Sequence, residues 1–262
     1  MASVVTPAIV LHAFDYSESS RIVRLATREA GVQSVLARGA RRSQKRFGAA
    51  LDLFAEGEVQ FEVKAGRDLH TLSRFDATRG RRGIGESLGR FEGAAALGEV
   101  MLRVAPADDD SALAYDVLAA GLDDIATTSE PVVATLRAVW RLLAAIGYAP
   151  ALDQCVHCGD TLPADGPVAF AAAVGGALCD RCARLAPARP LPAYARDQLR
   201  AWLGDEPRKP TGFDGPVERA HRRLLSGFVH AHVTDGQPLR AFDAWVQGSG
   251  AARDGAPAGP AS

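Results

Sequence analysis

Residues 154–185 read QCVHCGDTLPADGPVAFAAAVGGALCDRCARL, and this stretch decides how the second half of the chain folds. It contains two Cys-x2-Cys pairs separated by twenty residues, and these are all the cysteines of the 262-residue sequence. Each pair places two thiolates on one side of a tight turn, and two such turns facing each other form the tetrahedral sulfur cage that zinc prefers. Gly159 and Gly175–Gly176 permit the tight backbone of such turns. The predicted ligands of one structural zinc ion are Cys155, Cys158, Cys179 and Cys182.

The same spacing leaves other interpretations open. Four unligated buried thiols or a redox pair of the Cys-x-x-Cys type would give a similar sequence. A site of four thiolates can also hold an iron–sulfur cluster. His157 lies between the first two cysteines and could replace one of them as a ligand, although four thiolates already complete a tetrahedral shell.

Composition bounds the class of protein. The sequence is 47% hydrophobic, enough for packed cores, but no run approaches the roughly 18 apolar residues of a membrane helix. The first residues lack the basic start of a secretion signal. All four cysteines lie in one short stretch, whereas the disulfide-bonded cysteines of a secreted protein of this size are spread along the chain. We therefore expect a cytoplasmic protein that does not bind membranes.

Short strands are predicted in the first 80 residues. In Glu58–Lys64, apolar Val59, Phe61 and Val63 alternate with polar residues, as in a half-buried strand. Three other segments are short, apolar and rich in β-branched residues, with Gly31 marking a turn between the second and third, and a fourth segment supplies a possible fifth strand. They are Ala8–Phe14, Arg21–Thr27, Gln33–Arg38 and Asp68–Phe75. Five such strands predict a small closed barrel, because closure removes exposed strand edges.

From about Glu86 the hydrophobic period becomes helical. A stripe from Val132 to Ile146 predicts a helix that Ser129 caps and Gly147 ends, and the acidic run Asp108–Asp110 is predicted to be a solvated loop. Two later helices are predicted over Tyr194–Leu203 and Val217–Val233, and a disordered Gly/Ala/Ser/Pro tail follows. The predicted division is a barrel domain (1–80), a helical domain (81–153 and 188–246), a four-cysteine insertion (154–187) and the tail (247–262).

The most basic stretch lies between Arg21 and Arg46, with eight cations and one acid, Glu29. Residues 1–83 carry 14 Lys/Arg against 9 Asp/Glu, whereas residues 84–153 carry 4 against 11. Clustered cations can displace counterions from nucleic acid, and Phe47 beside them could stack on a base. A solvated charged loop with Phe47 in the core explains the same pattern. The candidate DNA-binding residues are Arg21, Arg24, Arg38, Arg41, Arg42, Lys45, Arg46 and Phe47.

Several stretches in order resemble the RecO family of bacterial recombination mediators. IVLHAFDYSESSRIVRLATREAG (residues 9–31), followed by VLARGARR (35–42), resembles the family's first barrel strands and basic turn. LRAVWRLLAAIGYAPALDQCVHCG (136–159) resembles its junction between helix, Gly-Tyr and first zinc turn, and GGALCDRCARL (175–185) resembles its second zinc turn. The resemblance covers about residues 8–245.

The resemblance implies an α+β multidomain fold: an N-terminal oligonucleotide-binding (OB) barrel of five strands, then an all-α domain that carries an inserted four-cysteine zinc ribbon. It implies binding of single- and double-stranded DNA, annealing of complementary strands, and a location at the bacterial nucleoid. It also implies help to RecA in displacing single-strand-binding protein, together with the partner RecR. Arg137 occupies the family's Leu-Arg position and becomes a candidate for holding the C-terminal acidic tail of single-strand-binding protein. An ion pair between Arg137 and a nearby Asp is the alternative.

No enzyme motif is present in the sequence. G-x-x-x-x-G-K-[ST], G-x-S-x-G and H-E-x-x-H are all missing, so we predict that the protein is not an enzyme. A zinc-dependent hydrolase is disfavoured, because a closed shell of four thiolates cannot activate water. The alternative to a DNA-binding mediator is a zinc-stabilised adaptor without DNA binding, whose basic loop docks an acidic peptide.

Overall fold

The computed structural model describes residues 2–40, 51–63, 66–104, 108–204, 213–234 and 236–248. Its first five strands close into a barrel in the order β1-β2-β3-β5-β4. All neighbouring strands are antiparallel except β3 and β5, which are parallel. The strands are β1 (Ala2–Asp15), β2 (Arg21–Thr27), β3 (Gly31–Ala37), β4 (Glu56–Val63) and β5 (Leu69–Arg79). The predicted closed barrel is confirmed.

Strand β1 is longer than predicted because it pairs with two neighbours in succession. Its first half lies against β4, and its second half lies against β2. The register with β2 shifts between Val10 and His12, which makes Leu11 the extra residue of a bulge. Val10 remains in the barrel core, whereas Leu11 joins the core beneath the helices. One bent strand therefore both closes the barrel and contacts the second half of the protein.

Six α-helices follow in the described ranges. Helix α2 begins at Asp108, so the prediction of a loop over Asp108–Asp110 is wrong; acidic residues in a first helical turn complement the helix dipole. The predicted Ser129 cap is also wrong, because α3 begins at Pro131 after Glu130, and no side chain caps it. The helices are α1 (Leu88–Val104), α2 (Asp108–Thr127), α3 (Pro131–Ala145), α4 (Ala193–Leu203), α5 (Gly215–His232) and α6 (Arg240–Gln247).

Helix α2 joins the barrel to the helices. The Ser111 hydroxyl donates to the Arg28 carbonyl at 2.9 Å, and the Arg28 guanidinium pairs with Asp116, also at 2.9 Å. One turn further along the chain, Tyr115 donates to Glu56 of β4 at 3.0 Å. The side chain of Arg81 is only 2% exposed and lies between Glu56 and Asp123. A continuous row of polar contacts therefore sets how α2 lies along the barrel.

The four-cysteine segment forms a small lobe of its own between α3 and α4. Three short strands, β6 (Val168–Ala171), β7 (Gly176–Leu178) and β8 (Arg189–Leu191), form a sheet in the order β7-β6-β8. The protein therefore has a closed barrel followed by helices, with the four-cysteine segment inserted between α3 and α4, and the predicted α+β fold class is confirmed. Across the described ranges, no helix is both long and apolar enough to cross a membrane. The predicted tail lies almost wholly outside the described residues, although Gln247 still belongs to α6.

Candidate metal centre and DNA-binding surface

The four cysteine sulfurs converge on one point of the lobe. Their Sγ atoms all lie within 4.8 Å of one another. The Sγ atoms of Cys158 and Cys179 are 3.8 Å apart, and a tetrahedral ion with Zn–S bonds of about 2.3 Å would separate two sulfurs by about 3.8 Å. Cys155 and Cys182 are buried, whereas Cys158 and Cys179 lie nearer the surface. The cluster can hold a single structural metal ion.

Main-chain hydrogen bonds shape both cysteine turns. In the first turn, the Gly159 amide donates to the Cys155 carbonyl at 2.8 Å, and Gly159 has the positive φ of 77° that favours glycine. In the second, the Ala183 amide donates to the Cys179 carbonyl at 2.9 Å. The Val156 amide donates to Ala177 at 2.9 Å and so ties the first turn to β7. His157 is exposed, on the solvent side of its turn.

The ionisation of the cysteines favours a bound cation. Burial opposes ionisation of Cys155, but the amides of Cys179, Cys158 and His157 donate toward its sulfur and hold its pKa at about 6. Burial first, and then the neighbouring sulfurs, raise the pKa of Cys182 to about 12. Thiolates this close repel one another, so full ionisation of the cluster needs a positive ion among them. The donor set therefore fits a divalent metal.

Two arginines of α4 clamp the lobe to the helices. The buried guanidinium of Arg196 donates to the Leu152 carbonyl at 3.0 Å and to the Pro163 carbonyl at 2.6 Å. Arg200 donates to the Asp153 carboxylate at 2.9 Å through Nε. These acceptors flank the first cysteine turn in the sequence. These bonds join α4 to both sides of the first cysteine turn.

The basic segment divides into three groups in the structure. Arg21 forms an exposed ion pair with Asp15 at 3.0 Å, and Arg28 forms one with Asp116 of α2 at 2.9 Å. Arg24 on β2 is half-buried, and Arg38, directly after β3, is exposed. In the described part of the chain neither Arg24 nor Arg38 has a carboxylate partner. The other five candidates, Arg41, Arg42, Lys45, Arg46 and Phe47, lie outside the described residues.

Arg137 lies on α3 and faces α2. Its guanidinium is 2.8 Å from the Asp124 carboxylate, and its side chain is 23% exposed. The ion pair that sequence reasoning left as the alternative is therefore present. An incoming carboxylate would have to compete with Asp124 for this arginine.

A groove that sequence reasoning missed lies where the barrel meets the helices. It encloses about 660 Å³ and is lined by residues that include Arg79, Arg81, Arg82 and Arg90. Three of these cations are already used within the protein, since Arg79 and Arg81 pair with Asp123 and Arg90 donates to carbonyl groups. The groove thus consists mainly of contacts that stabilise the joint. Arg79 and Arg81 lie 44 and 42 positions from Asp123 in the sequence, so no local pattern signals these two pairs.

Two family models match the chain. The model described as recombination protein O N terminal matches residues 1–81, and the model described as recombination protein O C terminal matches residues 85–241. The two matched regions adjoin between β5 and α1.

Curated relatives match over nearly the full length. The DNA repair protein RecO of Rubrobacter xylanophilus is 34% identical over 237 residues, which cover 89% of this chain and 93% of that protein. The protein of the same name from Anaeromyxobacter sp. (strain K) is 35% identical over 252 residues, covering 92% and 96%. That of Thermobifida fusca is 34% identical over 229 residues, covering 86% and 90%.

Proposed function

Because this chain belongs to the RecO family of DNA repair proteins, we propose that it acts as a recombination mediator. In this role it binds single- and double-stranded DNA, anneals complementary strands, and assists the loading of RecA onto DNA coated by single-strand-binding protein, together with RecR. The observation that carries the proposal is the barrel itself, which presents Arg24 and Arg38 without carboxylate partners in the described ranges. Unneutralised cations on a small barrel are suited to phosphate binding.

Two of the proposed DNA contacts, Arg21 and Arg38, lie at one end of the barrel in the described residues. Strand β3 ends at Ala37, where the chain enters the basic segment, and β2 begins at Arg21 opposite Ala37. Arg28 lies at the other end of β2, where its charge is neutralised by Asp116. The proposal therefore assigns phosphate binding to the basic residues other than Arg28; Arg21 is also paired, with Asp15, but it is included because it lies at the Ala37 end of the barrel. They are Arg21, Arg24, Arg38, Arg41, Arg42, Lys45 and Arg46, with Phe47 beside them.

Salt-dependent DNA binding tests this assignment. Fluorescence anisotropy of a labelled single-stranded oligonucleotide at rising salt should give a steep, linear decrease of log K with log [salt]. Replacing both Arg24 and Arg38 by glutamine should reduce the magnitude of that slope by about 1.4, because each lost single-strand phosphate contact is worth about 0.7. Arg189→Gln on β8 is the control, since Arg189 is exposed like Arg38 but lies on the cysteine lobe. The proposal fails if neither DNA form binds at low salt.

Strand annealing tests the mediator role directly. The protein should accelerate the pairing of complementary strands, and it should do so when the strands are coated by single-strand-binding protein. Adding RecR and RecA should then shorten the lag before RecA filaments form. An adaptor without DNA binding would bind protein partners normally and leave annealing of bare strands unchanged, which separates the two functions.

We propose that the metal is one structural Zn²⁺ held by Cys155, Cys158, Cys179 and Cys182. When bound, the ion would cross-link the two cysteine turns; the four sulfurs leave it no open position for water. Elemental analysis of the purified protein should give one zinc per chain. A stoichiometric content of iron with a visible absorption band would instead indicate an iron–sulfur cluster.

For the acidic tail of single-strand-binding protein, we propose Arg137 as the residue that meets its terminal carboxylate. The apolar stripe of α3 is buried in the core, so the assignment rests on the position of Arg137 in the family resemblance, and the competing pair with Asp124 predicts modest affinity. Asp124→Asn should tighten binding of a tail peptide, whereas Arg137→Gln should weaken it. A location in the cytoplasm at the nucleoid follows from the proposed DNA substrates.

A further inference from the structure

The outer face of β1 carries aromatic rings that the barrel core does not use. After the bulge at Leu11, His12 and Phe14 face outward, and their ring centroids are 5.5 Å apart at an interplanar angle of 43°. Phe14 is 42% exposed, and Tyr16, two residues further along, is 60% exposed. Alternate residues of a strand lie on one face, so the two β1 rings form a row along the strand.

The neighbouring strands extend this face. Arg24 of β2 lies directly opposite His12, and Ile22 lies opposite Phe14. On β3, Leu36 lies opposite Ile22 and is only partly buried. Scattered exposed apolar side chains are ordinary on protein surfaces, but here rings and aliphatic side chains adjoin on one exposed strand face. We call this set of residues, with His12 and Phe14 at its centre, the β1–β2 face.

Arg24 lies on the β1–β2 face, and Arg103 of α1 is close enough to affect it electrostatically. Burial first, and then the positive charge of Arg103 at the end of α1, lower the pKa of Arg24. Within the described ranges Arg103 donates to the Pro238 carbonyl at 3.5 Å, and neither arginine pairs there with a carboxylate. The nearest acid along β1, Asp15, is paired with Arg21. Like charges held together in this way are relieved by a bound anion.

We infer that the β1–β2 face binds single-stranded DNA, with bases stacked on His12 and Phe14 and the phosphate backbone following Arg24 and Arg103. Stacking on aromatic side chains needs unpaired bases whose faces are free, and a duplex keeps those faces inside its own stack. The inference rests on the proposed DNA-binding function and adds to it a physical basis for distinguishing single strands from duplex. It also assigns Arg103, outside the basic segment, to the DNA path.

Paired affinity measurements test the inference. Phe14→Ala in the full-length protein should raise the Kd for an oligothymidine about tenfold, since one stacked base is lost, while the Kd for a hairpin duplex changes by less than about twofold. Phe14→Trp should keep single-strand affinity, because the ring is retained. Phe91→Ala is the matched control: Phe91 on α1 is 44% exposed, close to the value of Phe14, but lies outside the β1–β2 face. Arg103→Gln should weaken binding of both DNA forms.

Photo-crosslinking gives a second measurement that needs no variant. An oligonucleotide carrying 5-iodouracil should form adducts on the peptide that contains His12 and Phe14, as read by mass spectrometry. The inference is overturned if adducts form only elsewhere, or if Phe14→Ala weakens both DNA forms equally or neither. It is also overturned if that variant changes only self-association or RecR binding. If the wild-type protein binds no DNA at all, the proposed function itself fails, which is a different result.

Discussion

Replacing Arg81 by methionine should loosen the joint between the barrel and the helices. The guanidinium donates to Glu56 at 2.6 Å, to Asp123 at 2.8 Å and to the Phe54 carbonyl at 3.0 Å. The Arg81 side chain is 2% exposed, so water does not compete for these hydrogen bonds in the folded protein. Methionine matches the arginine side chain as far as Nε and keeps the apolar packing of the stem, but it donates no hydrogen bond.

The size of the loss follows from which acceptors lose their partner. Removing one member of a buried ion pair costs about 3–5 kcal/mol, because the remaining charge is left uncompensated. Glu56 is 20% exposed and, among the described residues, would keep the bond from Tyr115, whereas Asp123 is 39% exposed and would keep its pair with Arg79. The lower end, about 3 kcal/mol, is therefore expected. In a protein of this size it corresponds to a Tm lower by about 9 °C.

Urea and thermal unfolding, followed by circular dichroism, measure this loss. The matched control is Arg79→Met, because Arg79 pairs with the same Asp123 but its side chain is 57% exposed. An exposed pair contributes about 1 kcal/mol at most. Adding Glu56→Gln to Arg81→Met should recover part of the stability, since it removes the stranded charge. The reasoning is refuted if Arg81→Met and Arg79→Met destabilise equally, or if the double variant is less stable than Arg81→Met alone.

Three further perturbations have expected outcomes. Burial lowers the pKa of His221 to about 4, so the unfolded chain binds a proton more tightly than the folded protein does. The free energy of unfolding should therefore fall as the pH drops from about 6.5 toward 4. Urea titrations should show a loss of about 2 kcal/mol at pH 5. His221→Gln should remove that part of the pH dependence, and an unchanged profile would contradict it. Gly121→Ala should destabilise the protein by about 1–3 kcal/mol, because the new Cβ would lie 2.7 Å from the Cβ of Ala138. Gly98→Ala should not destabilise it, because a Cβ there would make contacts of ordinary length. Calorimetry of the two variants compares these outcomes. Removing the metal with a chelator should lower the Tm before it changes DNA affinity, and lost DNA binding with an intact Tm would show the cysteine lobe to be a recognition element.

Much of the secondary structure could be predicted from periodicity. The strand predicted at Arg21–Thr27 has those bounds in the structure, and the stripe from Val132 onward lies in α3. The errors fall where local signals compete. Asp108–Asp110 resembles a loop by polarity yet begins a helix, and Ser129 is a good capping residue but Pro131 begins the helix two residues later. Helix α6 was not predicted as a separate element, because eight residues carry too little periodicity.

The candidate site was predicted unevenly. The cysteine cluster could be anticipated, because two short turns with defined spacing signal it locally, and the sulfurs do converge. The DNA-binding assignment remains a prediction, and Arg28 shows why charge counts alone mislead. Its sequence neighbours are basic, but its partner Asp116 lies 88 positions away, and that pair removes it from the available cations.

The sequence by itself determined the barrel strands, the helical region and the cysteine pairs, because each depends on periodicity or spacing within a short stretch. It also determined the family, through the order of several such stretches along the chain. Only the tertiary structure decided which polar groups meet. It buried Arg81 between Glu56 and Asp123, and through the bulge at Leu11 it turned His12 and Phe14 outward beside Arg24. Such contacts join residues that are distant in the chain, and burial decides their strength. No local pattern encodes either one.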